Sequence, residues 1–305
     1  MELWIPITVA AALLQTWRTA LQQKLRDKLS VNAAGFVRYL YALPTGVLLV
    51  AGFHAAAGLA LPVPTPRFLL LCATGGLLQI VGTNLLIMAF GYRSFVVGSA
   101  YAKTEAVQGA ILAFLLLHEA LTPLAVLGIA VGVGGVLVLS LGGRGLRARD
   151  LLRATIQPAA LCGLGTGAAF ALTTICVKEA NRALGTGGGL EAIIRQAVFV
   201  LLVTNLLQTL MQGGYLALRE PAQLRAACRT WRSSAWVGTL SACGSAGWFT
   251  AFALAPVALV RSLGQVEMVF TLIFSRFYLK ETLRRADVTG LGLVVAGVIL
   301  ILWGR

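Results

Sequence analysis

The chain repeats itself. Residues 90–142 fall on 252–304 when shifted by 162 positions, without a gap, and the shift carries Glu105 onto Glu267 and Glu119 onto Glu281. Phe90, Leu121, Gly128, Val133, Gly135 and Gly142 fall on Phe252, Leu283, Gly290, Val295, Gly297 and Gly304. Apolar coincidences are expected in an apolar chain. Coincident glutamates are not, because the 305 residues hold only eleven acidic side chains. A duplicated unit with a carboxylate in the middle of an apolar span of each copy constrains fold and function together. Ionisable groups inside membrane spans mark transport pathways, and internal repeats are a common way of building a transporter.

The surrounding composition places those spans in a bilayer. Charged residues make up 12% of the chain, about half the share usual in a soluble domain. Apolar residues come in runs of roughly 20, long enough to cross a bilayer as a helix. The alternation expected of a transmembrane barrel is missing. The five cysteines are scattered with no C-x-x-C pair, and they read as small buried hydrophobes rather than a disulfide framework or a metal site. No metal, ATP or other cofactor is implied, since there is no phosphate-binding glycine loop and no metal-ligand spacing. The N-terminus has no basic leader pattern, so the first span is expected to stay. The formal charge of +14 falls in short loops, where it orients a membrane protein; nucleic acid is not an expected partner.

The fold class that follows is an all-α membrane protein. Ten transmembrane helices are expected near 3–23, 32–53, 67–90, 94–117, 122–142, 157–180, 189–213, 234–253, 256–279 and 286–303. They form two five-helix repeats, residues 1–143 and 157–305, joined by a basic linker over 144–156. An odd number of helices per repeat inverts the second copy. The odd-numbered loops collect fifteen lysines and arginines, including Arg144, Arg147, Arg149 and Arg153. Even loops and termini hold four: Arg67, Lys178, Arg182 and Arg305. The odd loops are therefore expected in the cytoplasm of a bacterial inner or plasma membrane, with both termini outside.

Each repeat closes with a distinctive segment: Leu-Leu-Leu-His118-Glu119-Ala-Leu followed by Gly128 and Gly135, and Phe-Tyr-Leu-Lys280-Glu281-Thr-Leu followed by Gly290 and Gly297. Arg38 and Arg195 sit early in helices two and seven, and Lys24 and Lys178 at the ends of helices one and six. With these motifs the whole chain resembles the drug/metabolite transporter superfamily, EamA-like type. The resemblance implies a transporter, not an enzyme, and favours export. Two features depart from that pattern. Where members often carry a proline in helices four and nine, this chain reads Tyr101-Ala-Lys103-Thr104-Glu105 and Gly264-Gln265-Val-Glu267. Members are also commonly drawn with cytoplasmic termini, the reverse of the charge count.

The candidate site is built around the paired glutamates. Helical spacing puts Gly98, Tyr101, Glu105 and Gln108 on one face of helix four, and Gly264, Glu267, Thr271 and Ser275 on one face of helix nine. A carboxyl group there is suited to exchanging a proton, holding a cation, or doing both in competition; the alternative is a structural tie to a basic neighbour. Lys103, two residues from Glu105, points elsewhere on the helix and is suited to a substrate carboxylate or to an interhelical ion pair. Gln15 and Arg18, with Thr19 and Gln22, form a polar stripe on helix one. Gln79 with Thr83, Asn205 with Gln208 and Gln212, and Ser241 with Ser245 and Trp248 supply further polar faces, for substrate or for interhelical adhesion. Trp17, Tyr101 and Trp248 can stack on a ring or a cation. Glu119 and Glu281 read as helix-end caps. The glycines of helices five and ten suit close packing, inside the chain or in a homodimer.

The expected function is secondary active transport of a small organic metabolite, amino-acid-like or amine, with proton-coupled efflux by alternating access about Glu105 and Glu267. The partners are that substrate, protons and the bilayer. Efflux of lipophilic cations would leave Lys103 replaceable. A flippase for lipid-linked headgroups would need a cavity open to lipid. A non-transporting scaffold would not require a duplicated midplane carboxylate.

Overall fold

The computed structural model describes residues 2–25, 28–57, 61–89, 102, 105–118, 121–141, 158–185, 189–270, 273 and 285–304. Among these every regular element is a helix. The elements are α1 (Trp4–Leu25), α2 (Val31–Leu40), α3 (Ala42–Ala57), α4 (Pro66–Ala89), α5 (Glu105–Leu117), α6 (Pro123–Leu141), α7 (Pro158–Ala183), α8 (Leu190–Arg219), α9 (Pro221–Arg229), α10 (Trp231–Leu254), α11 (Val257–Leu263) and α12 (Arg285–Trp303), with a 3-10 turn at Gly264–Val266. Proline opens α4, α6, α7 and α9, a first position where its missing N–H is not needed and its fixed φ suits the helix. Ser30 caps α2 by accepting the Ala33 N–H on its hydroxyl at 3.3 Å; a hydroxyl here satisfies an otherwise orphaned donor.

Five segments are long and apolar enough to cross a membrane: Val31–Ala56, Pro66–Ala89, Leu161–Ala183, Leu190–Arg219 and Trp231–Leu254. Glu105–Leu117, Pro123–Gly135 and Gly292–Ile301 are shorter apolar helices. Large apolar side chains such as Leu48, Leu70, Phe114 and Trp303 are exposed, as a lipid-facing surface requires.

The helix expected over 32–53 is interrupted at Tyr41 between α2 and α3. Pro44 explains the break: it has no N–H, and its ring conflicts with the carbonyl four residues back, that of Leu40. The stretch expected as a loop after residue 213 is instead the end of α8 followed by the short helix α9.

By its internal contacts the chain divides into two compact units. One comprises Met1–Ile80 and Thr173–Ala255, the other Val81–Leu172 and Pro256–Arg305. In the first, α1 packs along α10, where Gly247 carries no side chain; a Cβ there would lie 3.0 Å from that of Ala11. Leu25, Phe36, Val37, Leu216, Ala227 and Val237 form a buried cluster at α1, α2, α8, α9 and α10. In the second, α6 and α12 pack with their backbones nearly touching. A Cβ on Gly297 would meet the Gly132 nitrogen at 2.5 Å and the Gly128 carbonyl at 2.7 Å. The glycines singled out in the sequence are thus used inside the chain, between these two helices. The Thr122 hydroxyl, donating to the Gly304 carbonyl, ties the start of α6 to the end of α12.

Candidate functional site

Helix α7 sets the geometry of the site in the second unit. Leu164 and Gly167 face the start of α5, and Phe170, three residues on, presents its carbonyl to Arg261 of α11. Gly167 allows the approach: a Cβ there would stand 2.9 Å from the Gln108 Nε2 and 3.3 Å from the Glu105 backbone nitrogen. Gln108 Nε2 donates to the Leu164 carbonyl at 3.5 Å. Glu105, one turn earlier on α5, meets Arg261 from α11. The Arg261 Nη1 lies 2.7 Å from Glu105 Oε1, and the two side chains keep only 16% and 18% of their surface exposed. Arg261 Nη2 also donates to the Phe170 carbonyl at 3.4 Å.

The second carboxylate belongs to the same group. Glu267 follows the 3-10 turn at Gly264–Val266, six residues beyond Arg261 on the same stretch of chain. At an effective dielectric of about 20, unit charges at the Glu105–Arg261 distance attract by about 6 kcal/mol. Taking each ion out of water costs several kcal/mol. The balance contributes little to folding, so stability alone is a weak reason for burying the pair. Chemically, the group can exchange its arginine for a proton or another cation at a carboxylate. Gln265, two residues before Glu267, packs its buried amide over Gly132 of α6, where a Cβ would lie 3.4 Å from Oε1.

The remaining candidates belong to the first unit. Arg18 is buried on α1 and donates to the Thr19 hydroxyl at 3.3 Å. Gln15, on the same stripe, accepts from Thr19 through its backbone carbonyl at 2.8 Å. Gln22 reaches across to the Ala34 carbonyl at 2.6 Å. Gln79 accepts from Gln208 Nε2 at 2.7 Å, and Gln208 also donates to the Gly76 carbonyl at 3.2 Å. Trp248 is buried and stacked on Phe252, with ring centroids 5.8 Å apart. Arg38 is buried and donates to the Ser241 hydroxyl at 3.0 Å. Lys178, counted with the loop charges, is buried on α7 and donates to the Ala255 carbonyl at 3.0 Å. Trp17 is half exposed. Tyr101, Lys103, Glu119, Glu281 and the linker over 144–156 lie outside the described residues.

Of the sequence candidates, then, Glu105, Gln108 and Glu267 come together in one unit, while Gln15, Arg18, Gln79 and Trp248 belong to the other. Arg261 was not among the candidates. The signal was available: it is a lone arginine in the apolar stretch from Ala255 to Gly264, and an ionisable residue within an expected span is a functional marker wherever it occurs.

The EamA-like transporter family profile matches residues 2–141 and 157–303. The chain belongs to the EamA-like transporter family. It is therefore an integral, multi-pass membrane transporter of the drug/metabolite transporter superfamily, and not an enzyme. A 62-residue stretch is 39% identical to NIPA-like protein 2 of Mus musculus; it covers 20% of this chain and 16% of that relative. One solved crystal structure shares the fold, with TM-score 0.72 and 16% sequence identity over 99% of this chain and 97% of the other.

Proposed function

We propose that this transporter carries a small organic metabolite, amino-acid-like or amine, out of the cell in exchange for protons. It does so by alternating access between two inverted five-helix repeats, residues 1–143 and 157–305, joined by the basic linker 144–156. Ten transmembrane helices make up the pair, with odd loops cytoplasmic and both termini outside. The observation that carries the reading is the ion pair of Glu105 with the largely enclosed Arg261 at 2.7 Å, together with Glu267 at the equivalent position of the second repeat. Repeat-related ionisable groups at the middle of inverted units are where such carriers bind substrate and coupling ion. The family match falling as two stretches of similar length supports the repeat reading.

In this mechanism a proton or the cationic group of the substrate neutralises a carboxylate, and the neutral site can change the side it faces. Gln108 and the neighbouring Tyr101 and Lys103 complete the substrate contacts on the fourth span. Gln15, Arg18, Gln79 and Trp248, in the first unit, are further candidates for substrate contact, each to be tested by substitution. No nucleic acid takes part, and the substrate, protons and the bilayer are the only partners required.

The test is flux in proteoliposomes with an imposed pH gradient, using radiolabelled lysine, alanine, ethanolamine and tetraphenylphosphonium, with an internal pH dye. One compound class should move together with protons, and Glu105→Gln or Glu267→Gln should abolish the coupled movement. Movement without any pH change, left intact in both variants, would remove the carboxylates from the mechanism. Movement of tetraphenylphosphonium alone would place the protein with carriers of lipophilic cations.

A further inference from the structure

Helix α9 carries its charge at the bilayer surface. It is joined to α8 through Glu220 alone and to α10 through Thr230 alone. Both neighbours are long and apolar enough to cross a membrane, so a short helix between their ends is held where hydrocarbon meets water. Arg225 and Arg229 are exposed on it, with Arg219 exposed just before and Arg232 just after. We propose that α9 and the helix ends beside it form a docking surface for anionic phospholipids of the bilayer, with the exposed guanidiniums holding the headgroup phosphodiester.

Three observations carry this. First, α9 has two sides. Leu224 and Ala227 face the buried cluster with Leu25, Phe36 and Val37. The Gln223 amide oxygen accepts from the Ser30 N–H at 2.9 Å, and the Tyr41 hydroxyl donates to the Ala227 carbonyl at 3.2 Å. Arg225 and Arg229, one turn apart, lie on the opposite side. A helix with an apolar side and arginines on its polar side is the kind that lies in the headgroup layer. Second, the outward charge has one sign. Glu220 is the only acidic residue between positions 192 and 266. Its carboxylate is turned inward, accepting from the Ser30 hydroxyl and the Asn32 amide at 2.6 Å each. Four guanidiniums therefore face outward with no carboxylate from their own segment beside them. The planar guanidinium matches paired phosphate oxygens, and basic clusters next to a span are drawn to anionic lipid. Third, aromatic rings mark the depth. Tyr215, one turn before Arg219, and Trp231 and Trp236, at the start of α10, are exposed. Such rings gather at the membrane–water interface. The Arg232 guanidinium lies 5.5 Å from the centre of the Trp231 ring, which puts it at headgroup level.

Occupancy reaches past the surface. The inner side of α9 packs with α1, α2, α8 and α10 in one buried cluster, so a headgroup clamped across Arg225 and Arg229 also steadies that joint. Zwitterionic lipid carries its own cation beside the phosphate and satisfies the arginines poorly. Docking requires only that the chain is embedded in a bilayer, whatever its substrate and coupling ion.

Native mass spectrometry of the delipidated full chain in detergent counts bound lipids, and a thermal melt reports their effect on the fold. Dioleoylphosphatidylglycerol and dioleoylphosphatidylcholine share their tails and differ in headgroup charge. The native chain should bind the first more tightly by about tenfold or more, since each basic residue near an anionic surface strengthens attachment by about fivefold. Its melting midpoint should rise with that lipid alone. Arg225→Gln/Arg229→Gln should lose the preference. Arg67→Gln/Arg182→Gln, which removes equal charge from exposed positions on α4 and α7, should keep it. Sodium chloride at about 0.5 M should weaken it by screening. Binding of the two lipids by the native chain within about twofold of each other overturns the proposal, as does an equal loss in the two double variants. Inorganic phosphate or soluble glycerophosphoglycerol raising the midpoint as much as the lipid would make the surface a site for free anions, and an oligonucleotide displacing phosphatidylglycerol would assign it to a soluble polyanion; either result also overturns it. If the α9 double variant does not give a monodisperse peak on size exclusion, the two lipids compared on the native chain at low and high salt still decide: no preference, or a preference indifferent to salt, overturns it.

Discussion

Gln208 shows how single polar residues hold the first unit. Its side chain is completely buried on α8. One amide nitrogen serves both the Gly76 carbonyl and the Gln79 side chain, so α8 grips α4 by backbone and side chain at once. Gly76 makes this possible, since a Cβ there would lie 3.1 Å from the Gln208 Cγ. Interhelical hydrogen bonds in membrane proteins contribute about 0.6 kcal/mol on average and up to about 1.7 kcal/mol. Gln208→Leu should therefore lower the thermal midpoint in detergent by a few degrees while Gln212→Leu, which loses a bond to the Asn32 carbonyl, acts on a different joint and adds to it. A double variant no worse than either single one would mean the two glutamines serve one cooperative contact. At this scale the sequence was informative about which residues are unusual and silent about whom they meet. Glu105 and Glu267 stand out by scarcity and by repetition. The partner of Glu105, Arg261, is 156 positions away in the chain, and no local pattern links α5 to α11. Lys178 misleads in the opposite way. It ends an apolar run like a loop charge, yet its ammonium is buried against a backbone carbonyl, a contact that depends on where the end of α10 lies.

Glycine placement decides how closely two elements approach, and α6 and α12 are the clearest case. On α12, Gly297 faces the backbone of Gly128 and Gly132, while Gly292 has nothing within 4 Å of the position its Cβ would take. Backbone atoms cannot rotate out of the way, so Gly297→Ala forces the helices apart; overpacking of this kind costs about 1–3 kcal/mol. Gly292→Ala meets open space and should be neutral or slightly stabilising, because alanine restricts the unfolded chain and favours the helix. Differential scanning fluorimetry in detergent should separate the two variants by several degrees. Equal midpoints would mean that α6 and α12 are not held by this contact. Most elements were legible from runs of apolar residues and their prolines: α4, α6 and α7 begin where Pro66, Pro123 and Pro158 permit. Interruptions inside a span were not. The Tyr41 break follows from Pro44 and could have been read. The 3-10 turn at Gly264–Val266 could not, since glycine is common in membrane helices and only the packing around Arg261 and Gln265 shows that this one divides the helix. Helix α9 was taken for loop because nine residues with Arg225 and Arg229 carry no span-length signal; its apolar side is recruited by Ala227 joining the buried cluster.

For the molecule as a whole, orientation is the property that its charge distribution bears on most directly and that one native residue can report. Four of the five cysteines, Cys72, Cys162, Cys176 and Cys243, lie in membrane-length helices and are buried or partly buried; Cys228 alone is exposed, on α9. That helix joins α8 to α10 and carries Arg225 and Arg229, with Arg219 just before it and Arg232 just after. Each basic residue in a short loop biases that loop toward the cytoplasm, and four together make this the strongest such segment in the described residues. A membrane-impermeant maleimide added to intact cells should therefore leave Cys228 unmodified, and permeabilised cells should show about one equivalent of label, lost in Cys228→Ser. Because α8 and α10 are both long and apolar enough to cross the bilayer, fixing this loop also fixes the ends of both helices. With ten crossings it puts both termini outside. Labelling in intact cells would reverse every loop at once: the arginines of α9 would then face outward, the basic residues between 144 and 156 would follow them, and the positive charge of the chain would need a different explanation, such as attraction to an anionic outer surface.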